Sequence, residues 1–452
     1  MTNRSVSSSL ATPEVRLPEP LIVPASELPE IGIWNVEAIA LLLYFYRDAF
    51  AGALRYYLSI AKLDVLWFLP DIFALMCILV FTQRYIITGK SVMSVLTLLY
   101  VMFSLYVGYT FLGYFAGMAS SLKMIAPVFV GFCFCGREFG QYKRLLALIH
   151  PIFYITIIGI FLSSRMQFPW VGFAYETLGA TRQATRLWWT ASEARLAGFA
   201  ADSTMAAFFV LITFVLTSVR KGLLWSVFWG AVGLYAIKLT TSKTSLGVML
   251  IYVVCMIFVR LLPEREKFPM LRRMAGLSFA TILIPVVLIV FFSGDGLTGI
   301  SRGFFSLQDR VNNSWQLPFV YMTDLMPVGF LTGCGLGCFN YPQQLFSNKL
   351  SYYVPVDNFY IGTYLMFGPI FVVFMIFVVA AVMRTRDIYK LSGMIAMNLF
   401  TVTVLAYGPA SGLIMIGVGY SEVFGKRWSS RQDPVNSAPL APDIDNLASR
   451  PA

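Results

Sequence analysis

Arg165, Arg182, Arg186 and Arg195 crowd one stretch of this sequence, opposed there by Glu176 and Glu193. Arginine offers a planar fork of N–H donors that grips phosphate at two points. Such a run predicts a phosphate or diphosphate ligand. Surface ion pairing and snorkelling is the other reading for any one of them. Arg195 differs from the others in its neighbours. Leu196-Ala197-Gly198-Phe199-Ala200-Ala201 leads from it to Asp202 and a long apolar run. Read as helix, this places Arg195 at the mouth of a bundle and Asp202 about two turns deeper. An ionisable residue inside an apolar span is a functional candidate.

A second group begins at Ser301-Arg302 and runs through Arg310 and Trp315. It continues with Gly333-Cys334-Gly335-Leu336-Gly337 and ends at Asp357-Asn358-Phe359-Tyr360. The glycines have the wrong spacing for a dinucleotide fingerprint and no βαβ pattern surrounds them. They predict a turn where backbone approaches something closely. Asp357 opens an apolar run, so two roles are open, helix cap or general base. Lys238 and Lys243 flank a short polar turn, where snorkelling competes with ligand binding. Glu37 and Asp71 are carboxylates within apolar runs, and Asp71 follows Pro70, where it can satisfy a kinked backbone.

Other chemistry is excluded. His150 is the only histidine, and the charge pattern of the loops puts it on the opposite face, in a structural role. A Ser/His/Asp triad and a His-ligated metal are therefore excluded on the arginine-rich face. No metal and no cofactor is expected. Asp443-Ile444-Asp445 has the look of a metal-binding pair but stands in a polar tail with no nucleotide domain around it.

The elements that must position these residues are membrane helices. The chain has 452 residues, 58% hydrophobic and 13% charged, where soluble domains carry about 25% charged residues. Soluble enzyme folds are ruled out. The net charge of +11 does not mark a nucleic-acid binder, because the cations sit in short clusters between apolar runs. Those runs fall at about 31–46, 65–82, 91–113, 118–135, 147–163, 198–219, 222–238, 242–260, 274–292 and 357–382. The stretch 391–424 breaks at Gly408-Pro409 into a hairpin. The expected fold is an all-α integral membrane protein of about 12 spans, or 11 if the tail stays outside. No internal repeat of the kind transporters carry is visible.

Arg84 and Lys90, Arg137 with Lys143 and Arg144, Arg220 and Lys221, the Arg260 to Arg273 cluster, and Arg384 with Arg386 and Lys390 alternate in short loops. The positive-inside rule places these loops, and both termini, in the cytoplasm. Arg47, Arg55 and Lys62 in the first outer loop do not fit. The expected plan is a disordered tail over 1–30, a membrane domain over 31–424 and a second tail over 425–452. No signal peptide precedes the first span, which then serves as the insertion signal. Long outer loops run over about 164–197 and 293–356. Their aromatics, Trp170, Phe173, Tyr175, Trp188 and Trp189 in one and Trp315, Phe319, Tyr321, Tyr352 and Tyr353 among those of the other, suit either sugar stacking or an interfacial belt. Of six cysteines, Cys334 and Cys338 are placed for a disulfide outside the cytoplasm.

Arg195 to Asp202, Thr240-Thr241-Ser242-Lys243, Arg310 with Trp315 and the glycine cluster, and Asp357 to Ile361 occur in an order that resembles the bacterial polysaccharide polymerases of the Wzy family, relatives of the O-antigen ligases. The similarity covers roughly 190–380 and the hydropathy plan. The ligases carry a His where this chain has Asp357, which argues for polymerase. Lys243 stands where the family has Arg, and Arg186 reaches Gly198 one residue too late for a paired Arg-x10-Gly motif.

The resemblance implies glycosyl transfer between undecaprenyl-diphosphate-linked oligosaccharides at the outer face of the bacterial inner membrane. It assigns Arg195 and Arg310 to the diphosphate and Asp357 to the base. Arg302, Lys243, Arg186, Asp202, Trp315, Asn358 and Tyr360 become substrate-binding candidates. The implied partners are the lipid-linked saccharide, the bilayer, and the chain-length regulator and flippase of the pathway. An O-antigen ligase and a lipid-linked oligosaccharide flippase are the competing readings.

Overall fold

Leu96, Leu99, Phe103 and Tyr106 point outward from one face of the helix Val92–Leu112, all exposed. A helix of 21 residues is about 31 Å long, enough to cross the hydrocarbon core of a bilayer. So wide an apolar face is stable only against lipid or a partner. The computed structural model describes residues 34–177, 180–186, 189–190, 193–292, 294, 305–403 and 407–425. The tails expected over 1–30 and 425–452 lie outside these residues, Gly425 excepted, as does Asp443-Ile444-Asp445.

The helices are α1 (Val36–Ala49), α2 (Ala51–Ile60), α3 (Leu69–Phe81), α4 (Val92–Leu112), α5 (Phe115–Phe132), α6 (Lys143–Ser163), α7 (Ser203–Ser218), α8 (Leu223–Leu239), α9 (Lys243–Leu261), α10 (Glu264–Ser278) and α11 (Leu283–Phe292). Then come α12 (Phe305–Asp309), α13 (Leu317–Leu325), α14 (Gly329–Thr332), α15 (Tyr341–Leu345), α16 (Phe359–Phe367), α17 (Ile370–Val382), α18 (Ile388–Phe400) and α19 (Ala410–Tyr420). Six continuous helical stretches among the described residues are long and apolar enough to cross a membrane: Asp64–Thr88, Val92–Leu112, Phe115–Phe132, Lys143–Ser163, Lys243–Leu261 and Glu264–Phe292. The protein is a helical membrane protein.

The short helices form the centre. α7, α18 and α19 are buried on nearly every side, while α4, α9 and α11 turn apolar faces outward. The buried hydroxyls of Thr213 and Ser218 in α7 bond to their own helix, at Phe209 O and Val215 O, and so are not stranded. α5 and α19 cross at contact distance through Gly131 and Gly417. A Cβ on Gly131 would stand 2.3 Å from Ile414 O, and one on Gly417 would stand 2.4 Å from Val128 O. Small residues permit this backbone approach.

The first long loop, over about 164–197, is not irregular. It forms two small antiparallel ribbons, β1 (Ala174–Thr177) with β2 (Ala180–Gln183) and β3 (Trp189–Thr190) with β4 (Glu193–Ala194). Phe168 and Trp170 stack at 4.5 Å and join Phe199 and Ala184 in a separate small core against α2. These rings pack on one another instead of forming a belt or an open platform. Trp188 lies outside the described residues.

The second outer loop folds inward. Residues 305–325 are helical, and the glycine segment after α14 is buried, with Cys334 and Cys338 joined by a disulfide. Cys334 N–H donates to Leu365 O, Gly335 N–H to Met366 O and Leu336 N–H to Ser104 O. Gly335 has φ +86°, and a Cβ there would lie 2.0 Å from Gly108 N. The expected close approach is therefore to α4. α16 and α17 are parted by Gly368, at φ +66°, and Pro369.

Several charges stand elsewhere than the loop pattern implied. Lys390 is inside α18 and buried, donating to Phe134 O, Ser421 Oγ and Glu422 Oε1. Glu37 pairs with Arg84 at 3.2 Å and with Arg137. Pro70 sits in the first turn of α3, where it makes no kink. Asp71 instead accepts from Tyr44 and pairs with Arg47 and Lys123, both at 3.2 Å. His150 Nδ1 meets Thr217 Oγ1 at 2.9 Å, a structural contact between α6 and α7.

Gly131→Val tests the α5–α19 crossing. Overpacking commonly costs about 1–3 kcal/mol. The variant should unfold at a lower temperature in detergent than wild type, while Gly136→Ala, with nothing within 4 Å of its Cβ position, should fall less despite its own strained φ of +69°.

Candidate functional site

Five interruptions of helix meet at one place: residues 195–202, 240–242, the π turn Arg310–Gln316, 357–358 and 401–403. At their centre Asp357 is held from two sides. Arg310 Nη1 pairs with Asp357 Oδ2 at 3.0 Å, and Trp315 Nε1 donates to Asp357 Oδ1 at 3.0 Å. Arg310 also donates to Thr403 O. Trp315 is fully buried, so it fixes the carboxylate and is not itself a surface for a ligand.

Asp357 is not the helix cap. Asn358 is: its Oδ1 accepts from Ile361 N–H at 2.9 Å, at the N-terminus of α16. Asn358 Nδ2 donates to Val402 O at 2.5 Å, and Phe359 N–H to Thr401 O at 3.1 Å. These bonds staple 357–359 to 401–403 and so hold Asp357 and the Thr403 carbonyl in register. Tyr360 faces away. It is buried and donates to Asn398 Oδ1 at 3.0 Å, beside Tyr420 on the same acceptor. Asn358 and Tyr360 are thus bonded within the protein, one as the cap of α16 and one inside the bundle.

Arg195 approaches from the first outer loop. Its Nε makes a long contact of 3.5 Å to Thr240 O. Burial lowers its pKa, Asp202 opposes that shift, and the Arg310 charge adds to it. Two guanidinium groups thus lie within each other's field, with one carboxylate beside each. Asp202 is not two turns inside a helix. Gly198 at φ +59° stops any helix there, and Asp202 is the N-cap of α7, its Oδ1 accepting from Met205 N–H at 2.8 Å. Thr185 bonds Ala200 O, and Arg186 N–H bonds Ala201 O, which pins the segment.

Lys243 opens α9 and is exposed, while Thr244 one step on meets Thr403 Oγ1 at 2.5 Å. Arg186 is exposed and acts on another group. Burial pushes the Tyr353 phenol up and the Arg186 charge pulls it back, so Arg186 lies within the field of Tyr353. Arg302 lies outside the described residues.

Burial pushes Asp357 above the usual carboxylate value. Arg310 and the Trp315 indole pull it back, and Asp309 adds to the push. The result is a carboxyl whose affinity for a proton is raised by burial and which is held by one arginine, Arg310, an arrangement suited to taking a proton beside a cationic group. Among the described residues no three His, Cys, Asp or Glu side chains gather to hold a metal ion. Sequence reasoning missed the carbonyls of Thr240 and Thr403, because backbone acceptors leave no trace in residue type. The break at Gly408-Pro409 was the one signal that α18 and α19 are parted near Thr403. No family model, curated protein or solved structure matches the chain.

The Asp202 cap separates shape from charge. Asp202→Asn keeps the capping oxygen and should leave thermal stability near wild type, whereas Asp202→Ala should cost about 0.5–2 kcal/mol. Equal losses in a thermal melt would show that the charge toward Arg195, and not the cap, is what matters.

Proposed function

We propose that this protein polymerises undecaprenyl-diphosphate-linked oligosaccharide units into a surface or secreted polysaccharide. The observation that carries this reading is the part-buried Asp357 held by Arg310 and Trp315, with Arg195 in the field of Arg310. In this reading Arg195, whose described contact is a single long one, takes the departing diphosphate. Arg310 neutralises the site and orients Asp357. The incoming unit's hydroxyl oxygen attacks the anomeric carbon of the growing chain. The bond from that carbon to the diphosphate oxygen breaks, and its electron pair leaves on the diphosphate. The hydroxyl proton passes to Asp357. Lys243, exposed at the head of α9, remains a candidate for the saccharide or its phosphates.

The same reading sets the finer topology. α1 with α2, the stretches Asp64–Thr88, α4 to α9, Glu264–Phe292, α16 with α17, α18 and α19 make twelve crossings. Both termini face the cytoplasm of a bacterial inner membrane and the site opens on the outer face. A chain-length regulator and flippase of the same pathway would be partners. Cysteine labelling tests the orientation: Leu350→Cys, exposed, should react from outside and Arg265→Cys only from inside. The reverse pattern would place the site on the wrong face.

A deletion strain should accumulate single lipid-linked units. Loss of transfer to a lipid A core would indicate a ligase, and units trapped inside a flippase. Purified protein should polymerise its substrate in EDTA, and loss restored by a divalent ion would reveal a metal. Arg195→Ala should lower the rate roughly 30- to 5,000-fold, the loss for truncating one member of a buried charge pair. Arg195→Lys should recover little, because the fork is lost. Normal polymer from Arg195→Ala at matched expression would make that residue structural.

The pH dependence is set by Asp357. A base must be ionised, so kcat/KM should rise as pH passes upward through its pKa. That limb should lie above the ordinary aspartate value of about 3.9, because burial raises it. Trp315→Phe removes a hydrogen bond to the ionised form and should move the limb to higher pH. Asp357→Asn should abolish it along with most activity, and an unchanged limb would assign the proton to another group.

A further inference from the structure

A second set of cations lies where α2, α5 and the β1–β2 ribbon meet, away from Asp357. Its members are linked in a closed ring. The Arg55 guanidinium lies 5.0 Å from the Trp67 ring centre and 4.1 Å from that of Tyr175. Tyr175 stands directly opposite Arg182 across the ribbon, so the two side chains share a face. Arg182 lies 5.8 Å from the Tyr341 ring, and Tyr341 accepts from Ser120 Oγ at 2.8 Å. Ser120 is one turn before Lys123 on α5, and Lys123 lies 4.4 Å from the ring of Phe68, next to Trp67. The field of Arg182 acts on Lys123.

The cations are under-paired. Arg47 and Asp48 satisfy each other at 2.9 Å, and Asp71 is shared by Arg47, Lys123 and Tyr44. Arg55 is 2% exposed, yet its Nε and Nη1 have no hydrogen-bond partner. Its nearest carboxylate, Asp64, stands 3.9 Å away and is about half exposed. A buried charge without hydrogen bonds is costly, and an oxyanion drawn into the ring is the group that relieves it. Lys123 keeps a third of its side chain open to the outside.

We propose that this ring binds the phosphate of a membrane lipid. The rim decides for a lipid. Tyr57, Ile60, Leu63, Val65 and Leu66, around Asp64, are all exposed, Val65 to 81%. An apolar apron beside a cationic pocket fits a phosphate head with its chains lying alongside. The site rests on the membrane reading alone and stands apart from glycosyl transfer.

Full-length protein in nanodiscs tests it with three probes: an anionic phospholipid, a polyprenyl diphosphate and inorganic phosphate. Native mass spectrometry reads the bound lipid, and a thermal melt reads stabilisation. Wild type should retain one lipid phosphate through detergent exchange. Lys123→Gln with Arg182→Gln, both on partly open side chains, should retain at least about tenfold less. Arg55→Gln should do the same where it folds. Retention of phospholipid alone names bulk lipid as the source, and retention of polyprenyl diphosphate alone names the lipid carrier. Stabilisation by inorganic phosphate with neither lipid retained overturns the lipid assignment. Retention in the double variant equal to wild type overturns the site.

Discussion

Inside a bilayer every backbone N–H and C=O must find its partner within the protein, and that constraint shapes this molecule. Helix meets it residue by residue, which is why helix fills the membrane region. Each departure from helix has to be bonded by something nearby. The glycine segment around Gly335 borrows carbonyls from α4 and from the end of α16. The segment after α18 is covered by Asn358 and by Phe359 N–H. Thr185 and Arg186 cover the approach to α7. The interruptions are few, and each is anchored from a different part of the chain.

The candidate site grows out of those anchors. A helix interior shows only side chains, but a broken end also shows backbone carbonyls and brings distant segments into register. Thr403 O and Thr240 O are such carbonyls, taking Arg310 and Arg195. Asn358 links the Thr403 segment to Asp357 without touching the carboxylate itself. Removing that staple would displace acid and arginine together, so its influence on the site is positional. The Gly108–Gly335 contact and the Leu336 N–H bond to Ser104 O hold the second long loop against α4 in the same sense.

Much of this was legible in the sequence, and the reasons divide cleanly. Apolar runs longer than a bilayer thickness announce helices whatever they pack against, so the long stretches stand close to where hydropathy placed them. Arg195, Arg310 and Asp357 were legible as charges beside apolar spans, and the structure brings them together. The bonding of Asn358 and Tyr360 was not legible, because residues two apart at a helix start point in different directions, one to the cap and one to the core. Asp202 was misread because Gly198 takes a left-handed φ that residue type permits but does not announce. The misfit cations of the first outer loop had a cause invisible in sequence. Arg47 is paired with Asp48 and Asp71, and Arg55 lies buried between Trp67 and Tyr175. They are interior groups and carry little weight in the orientation rule.

Opposing influences act on Asp357. Burial, the largest, raises its pKa, while Arg310 and the Trp315 indole favour the ionised form. The same arrangement divides labour between the arginines. Arg310 is already committed to Asp357 and the Thr403 carbonyl, so drawing it to an anion would release the carboxylate it holds. Arg195 has its one described contact at the limit of a hydrogen bond and can turn to an incoming anion without dismantling anything. Its own pKa is lowered by burial and by Arg310, so an arriving negative charge would favour its cationic form. Under the proposed function it is therefore Arg195, and not Arg310, that is free to meet the departing diphosphate.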